Sequence, residues 1–298
     1  MLDAKLLERI VSVFTAAGMH WIEGGHFAAR AGGLWTAPTF DVSLKGPAAT
    51  SVAGNADIAS IGRQLMEVIR AKRWQDRWLQ HVADEPISQN AVDYRILIGI
   101  VRKYMPGIGL IDATMNETLA GALDVWVPRI DNCLKGREFL ETQRAVGDRI
   151  WYYTCCAPGG AWLNRLLDQQ LLRPALYGWA AASLRLDGFL HWGFNHYHQN
   201  QDPFRQSVTE HAGNNQLPAG DTHVAYPGED GPWSSLRLEA QREGFEDFEL
   251  LAGLDGRKAV LMDKIIRPVF TSVDGDYTRD PAVLRAARRE LLKAAGKG

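Results

Sequence analysis

Asp84 and Glu85 stand side by side, followed at once by Pro86. They close the stretch Arg77-Trp78-Leu79-Gln80-His81-Val82-Ala83, which reads as a short buried strand. Pro86 has no N–H to give to a ladder and stops it. Two neighbouring carboxylates resist being ionised together, so one pKa rises while the other stays low. A pair split in this way holds an acid and a base in one place at neutral pH. If the strand belongs to a β/α barrel, its C-terminal end is where chemistry is done. The plain alternative is a solvated loop start.

Other residues compete for a role. Trp126, Trp151, Tyr153 and Trp192 lie at or near expected strand ends and offer flat faces for stacking a ligand; plain core is the alternative for each. Alternation sends Trp151 and Tyr153 to one face and Tyr152 to the other. Asn195, just past the last expected strand, is placed to hydrogen-bond a ligand. His81 alternates with Ala83 and supports the site from inside the fold. His191, His196, His198, His211 and His223 match no familiar zinc spacing, so they read as loop histidines and no metal is expected. Cys155 and Cys156, with one further cysteine, make a poor disulfide framework and read as buried thiols. Arg242 and Glu246 are spaced for an ion pair on a helix face, and the charges around them read as structural.

These residues need elements to hold them. Apolar residues at Leu6, Leu7, Ile10, Val11 and Phe14 have a helical period over Asp3 to Ala17, and a strand follows at Met19 to Glu23. Ala31 to Asn55 is polar, contains Gly and Pro, and reads as a long loop. Helices are expected at Ile58 to Lys72, at Ser88 to Tyr104 with Ser88 as cap, at Asn132 to Val146 and at Asn164 to Ala182. Strands are expected at 109–113, 123–127, 149–154 and 188–192. A polar loop over 195–220 leads to a hairpin near Thr222 to Tyr226. Helices at Ser234 to Leu254, Lys258 to Phe270 and Pro281 to Ala295 complete the chain.

Six strands, near residues 20, 80, 111, 125, 151 and 190, alternate with helices, which is the pattern of a parallel sheet with helical crossovers. The expected fold is an α/β chain: a (β/α)₈ TIM-type barrel lacking its first two strands, with C-terminal helices. The strand before Asp84 is then the fourth and the one at Leu190 the last. An open doubly wound sheet is the alternative, but no Gly-rich phosphate turn follows the first strand. The expected division is a barrel over 1–255 and a helical extension over 256–298. The 298 residues carry a net charge of −2 and 46% hydrophobic residues, which gives no electrostatic case for nucleic acid and leaves enough apolar mass for a large core. No apolar run is long enough to span a bilayer, and the N-terminal stretch is charged and amphipathic rather than a signal peptide.

Several rarer motifs then occur in order. They are Asp84-Glu85-Pro86, Asp124-Val125-Trp126-Val127-Pro128, Trp151-Tyr152-Tyr153, Gly188-Phe189-Leu190-His191-Trp192 and Tyr226-Pro227-Gly228. The run Ser234-Ser235-Leu236-Arg237-Leu238-Glu239 and then Arg242-Glu243-Gly244-Phe245-Glu246-Asp247-Phe248-Glu249-Leu250-Leu251 follows. Over residues 1 to 255 the chain resembles the catalytic barrel of glycoside hydrolase family 123, whose C-terminal part is the domain of unknown function 4091. The resemblance implies retaining, substrate-assisted hydrolysis of a β-linked N-acetylhexosamine, N-acetylgalactosaminide first. It makes Glu85 the general acid/base, and Asp84 the group that orients the 2-acetamido function and stabilises an oxazolinium-like intermediate. No cofactor is implied, and a secreted or periplasmic setting is.

The residues supply a separate argument for substrate assistance. A two-carboxylate retaining enzyme needs a nucleophile on another strand, about 5 Å from the acid. The late expected strands run into Val127-Pro128, Thr154-Cys155 and Trp192-Gly193, without a carboxylate; a nucleophile on the two strands read as missing is the alternative. The ten tryptophans suit stacking of sugar rings, and an oligosaccharide or glycoconjugate is the expected partner. An open sheet edge invites a homo-oligomer. The competing expectation is a non-catalytic carbohydrate-binding or scaffold barrel.

Overall fold

The computed structural model describes residues 2–43, 46–211, 215–254 and 259–296. It divides into two compact units, residues 1–128 with 136–150, and residues 129–135 with 151–298. The expected boundary at 255/256 lies outside the described residues.

The first unit opens on helix α1 (Ala4–Ala16), whose first turn is capped by the Asp3 carboxylate accepting from the Leu6 N–H. Strand β1 (Ile22–Gly24) follows. The stretch read as one long loop is not structureless. It carries an antiparallel pair, β2 (Ala28–Arg30) and β3 (Phe40–Val42), and the start of α2 (Val52–Ala71). Helix α2 begins six residues earlier than its apolar period indicates, because Ser51 caps it by accepting from the Gly54 N–H. Phe40 is fully buried, and its N–H donates to Asp93 at 2.9 Å. One buried ring and one long-range carboxylate thus order a segment that composition marks as loop.

Strand β4 (Trp78–His81) is buried along its whole length. Helix α3 (Ala91–Tyr104) follows a 3₁₀ turn at Ser88–Asn90. Its entry is held not by Ser88 but by Asn90, whose side chain accepts from the Ile87 N–H at 2.8 Å. Strands β5 (Gly109–Asp112) and β6 (Val125–Trp126) come next. The single helix expected over 132–146 is two, α4 (Ile130–Lys135), counted with the second unit, and α5 (Arg137–Ala145), separated at Gly136. Strand β7 (Arg149–Tyr153) starts in the first unit and finishes in the second. The core of the first unit is Ile58, Met66 and Ile69 of α2 and Tyr94, Leu97 and Val101 of α3, with Leu79, Leu110, Ile111 and Val125 of the strands.

In the second unit the helix expected over 164–182 shrinks to α6 (Leu172–Ala175) and α7 (Tyr177–Leu184). Residues 164 and 165 are instead tied down by their side chains. Asn164 donates to the carbonyls of Cys155 and Pro158 at 2.8 and 3.0 Å, and Arg165 is buried. Strand β8 (Gly188–Leu190) follows, so Trp192 lies beyond the strand rather than in it. The loop expected over 195–220 contains the antiparallel pair β9 (Thr209–His211) and β10 (Asn215–Leu217). The next hairpin is β11 (Ala225–Gly228) with β12 (Gly231–Ser234), three residues later than expected. Helix α8 (Leu236–Ala252) is capped by Ser235; α9 (Ala259–Ile266) and α10 (Pro281–Ala295) end the chain. Small residues let α8 close on α6 and α7: a Cβ at Gly178 would overlap the carbonyl of Gly244, and one at Gly244 would meet that of Ala175.

The parallel strands are hydrogen-bonded in the order β1-β4-β5-β6-β7-β8. Residues 149 and 150 pair with β6, and 151–153 with β8. The six are the six expected from sequence. An eight-stranded barrel needs two more, and the other described strands pair antiparallel in twos. No helix among the described residues is long and apolar enough to cross a membrane.

Candidate active site

In the first unit, β4 stops at His81 and the chain turns through Val82–Pro86. The turn is clamped. The Val82 carbonyl accepts from the N–H groups of Phe27 and Ala28 at 3.0 and 3.1 Å. The Ala83 N–H donates to Asp112 at 3.2 Å. Arg30 donates through Nη2 to the Glu85 carbonyl at 2.6 Å, and its Nη1 lies 4.0 Å from Asp84 Oδ2. The Arg30 guanidinium is itself fixed against the Trp35 ring, 3.9 Å from its centroid. The Thr114 hydroxyl donates to the Pro86 carbonyl at 2.9 Å. Glu85 is held at φ 46°, in the left-handed region that costs a side-chain-bearing residue roughly 1–3 kcal/mol and persists only where the surroundings impose it. The Asp84 side chain is 58% exposed, and Glu85 is half-buried.

Beneath the turn is a buried polar network. His81 donates from Nδ1 to Glu23 at 2.7 Å and from Nε2 to Asp112 at 3.0 Å. Burial disfavours its charge, but the Asp112 carboxylate and then Glu23 outweigh burial and raise its pKa to about 10. At neutral pH the ring is an imidazolium between two carboxylates. Asp112 is fully buried. Besides His81 and Ala83 it accepts from the Tyr94 hydroxyl at 2.6 Å and from the Ala113 N–H at 2.9 Å. Burial, and then the charge of Asp112, push the Tyr94 phenol well above its ordinary range, so it remains a donor. Gln80 seals the base, donating to the carbonyls of Gly25 and His81 at 2.7 and 2.8 Å.

His26, His81 and Asp84 bring ligand-type atoms within 4.8 Å of one another. A cation there would have to break a bond to Glu23 or Asp112, because both His81 nitrogens are already engaged. The cluster therefore reads as a charge network rather than a metal centre.

Trp126 does not offer a platform. It is fully buried, its indole N–H donates to Asp148 at 2.9 Å, and its ring packs on the edge of Phe139. The core alternative holds for this residue, because its strand is short and covered by α5.

The other candidate aromatics belong to the second unit. Trp151 and Tyr153 are half-buried and Tyr152 is fully buried, as alternation requires. Gly188 lies against the Trp151 indole, where a Cβ would collide. Trp192 is 47% exposed; its N–H donates to Asp221 at 3.3 Å. Asn195 is exposed, and its backbone bridges to that of His223. Behind Trp192, Arg165 donates to His191 Nδ1 and the Asp221 carbonyl at 2.8 and 2.9 Å and to the Gly193 carbonyl. Burial and then the Arg165 charge hold His191 well below the usual histidine range. Arg237 is buried and donates to the carbonyls of Arg165, Gly220 and His223, and Arg242 pairs with Glu246 as its spacing indicates. The His211 side chain lies outside the described residues.

A carboxylate at the end of a parallel strand, an imidazolium and the Asp–Glu turn are thus joined by hydrogen bonds within the first unit. Residues 55–254 match the model of the glycoside hydrolase 123 catalytic domain. The chain belongs to glycoside hydrolase family 123. A solved family 123 glycoside hydrolase from Clostridium perfringens, studied for glycolipid glycan hydrolysis, is similar in fold at 15% identity and a TM-score of 0.58. The match covers 83% of this chain and 45% of that one, so the chain spans less than half of that protein's length. A β-D-glucuronidase from Dictyoglomus thermophilum matches at 13% identity and a TM-score of 0.39, over 65% of this chain and 37% of that one. A family 10 xylanase from Thermobacillus composti matches at 11% identity and 0.41, over 80% and 81%. No curated protein matches the chain.

Proposed function

We propose that the chain is a glycosidase acting on a β-linked N-acetylhexosaminide, N-acetylgalactosaminide first, by substrate-assisted retaining hydrolysis. Glu85 protonates the leaving oxygen and then activates water. Asp84 orients the 2-acetamido group and stabilises the oxazolinium-like intermediate. Trp151, Tyr153, Trp192 and Asn195 contribute to sugar binding. The six parallel strands are the last six of an eight-stranded barrel. The observation that carries the reading is the clamped Asp84–Glu85 turn at the end of β4, with Glu85 forced into left-handed backbone and Asp84 open to solvent.

Supporting it, the carboxylate at the end of β5, Asp112, is fully buried and accepts four hydrogen bonds, which makes it an anchor and not a nucleophile. Glu23, 41% exposed at the side chain, is engaged by His81. Removing an enzyme nucleophile would be as damaging as removing the acid, so Glu23→Gln separates the mechanisms. Substrate assistance predicts that Glu85→Gln lowers kcat by about 10³-fold and Glu23→Gln by no more than about 10-fold. Equal losses would replace the acetamido nucleophile by Glu23. A folded wild type inert on aryl β-N-acetylhexosaminides would move the reading to the non-catalytic carbohydrate-binding barrel.

A further inference from the structure

Cys155 and Cys156 leave β7 directly after Tyr153 and Thr154. The sequence reads them as buried; the structure leaves Cys155 partly exposed and Cys156 exposed, while Cys133 is the buried thiol. None of the three is in a disulfide. The two adjacent sulfurs lie 3.8 Å apart. Their loop is braced on both sides. The Cys155 N–H donates to the Ala157 carbonyl at 3.0 Å, and the Cys155 thiol lies 3.5 Å from the same oxygen. Asn164 donates to the carbonyls of Cys155 and Pro158. The thiols are therefore held together before any ligand arrives, which removes much of the ordering cost of chelation.

We propose that Cys155 and Cys156 form a two-sulfur chelate site for trivalent arsenic and soft centres of that class. Paired sulfur donors select such centres over the hard cations that oxygen donors take. With an organoarsenic(III) oxide the step is a condensation. Two S–H bonds and the arsenic–oxygen bond break, two As–S bonds form, and the protons leave with the oxygen as water. Arsenic stays trivalent, so no oxidant or reductant is needed. The hydrogen bond with Cys156, and then burial, push the Cys155 thiol well above the ordinary thiol range. The site does not depend on the glycosidase reading.

The test is titration of the full reduced chain with phenylarsine oxide, with stoichiometry read by mass spectrometry and folding by circular dichroism. One arsenical should bind per chain, survive excess monothiol and come off with a dithiol. Cys155→Ser and Cys156→Ser should each weaken binding about 100-fold, as loss of the second, intramolecular contact requires, and Cys133→Ser should leave it unchanged. Because Cys156 is exposed, Cys156→Ser carries the test if Cys155→Ser fails to fold. Absence of binding, an adduct removed by monothiol, or binding lost on Cys133→Ser would overturn the proposal.

Discussion

Two buried histidines, each at the exit of a parallel strand, are held in opposite charge states. His81 leaves β4 between Glu23 and Asp112 and is raised to about 10. His191 follows β8, where Arg165 and the Gly193 N–H both donate to its Nδ1, and it stays neutral. Both rings are buried, and burial alone would neutralise both; only two carboxylates overcome it. The difference extends to what each network supports. The anionic network of the first unit, anchored by Asp112, ends on the backbone of the Asp84–Glu85 turn. The cationic network of the second unit, built on Arg165 and Arg237, ends on loop carbonyls and on Asp221, which fixes the exposed Trp192. We read the first as support for chemistry and the second as support for a binding surface.

The largest break in that comparison comes from removing each anchor. Asp112→Asn leaves an imidazolium short of a partner and loosens the turn, so kcat should fall about 100-fold with KM little changed and stability should drop by about 3 kcal/mol. Arg165→Met should cost a similar amount of stability, because it strands the carbonyls of Gly193 and Asp221 and removes one of the two donors to His191 Nδ1, but should act on KM more than on kcat. Urea unfolding with steady-state kinetics checks both, and equal kcat losses would erase the distinction.

The pH dependence of folding separates the rings next. His81 is raised on folding, so its contribution is fully present below its unfolded value of 6.5 and is lost as pH rises through about 10. His191 is depressed on folding, so its neutral state costs stability as pH falls below 6.5 toward its lower folded value. His81→Gln should therefore flatten the alkaline limb of the stability profile and His191→Gln the acid limb, read from midpoints of denaturant unfolding between pH 5 and 10. The smallest effect belongs to Trp192→Ala, which should raise KM about 10-fold with the melting temperature unchanged; a loss of folding would make Trp192 a core residue.

The strands and the turn are legible in sequence because they rest on local signals: apolar runs, Pro86 and the Asp–Glu adjacency. His81 as inner support follows from the same alternation. Asp112 escapes, although it stands at the end of an expected strand, because its role depends on Tyr94 from α3 and on the backbone at Ala83. Trp126 misleads for the converse reason: a strand-end aromatic looks available until α5 and Asp148 cover it. The missing helical turns over 164–171 reflect long-range bonds of Asn164 and Arg165 that no helical period records.

The most direct measurement compares turnover of 4-nitrophenyl β-N-acetylgalactosaminide with that of the matching β-galactoside, which lacks the acetamido group, by the wild type and by Glu85→Gln. The wild type should cleave the first at least about 100-fold faster than the second, since only the first carries its own positioned nucleophile, and folded Glu85→Gln should cleave the first about 10³-fold more slowly than the wild type. Comparable cleavage of both sugars, or a Glu85→Gln variant as fast as the wild type, would contradict the assignment of the Asp84–Glu85 turn as a substrate-assisted active site.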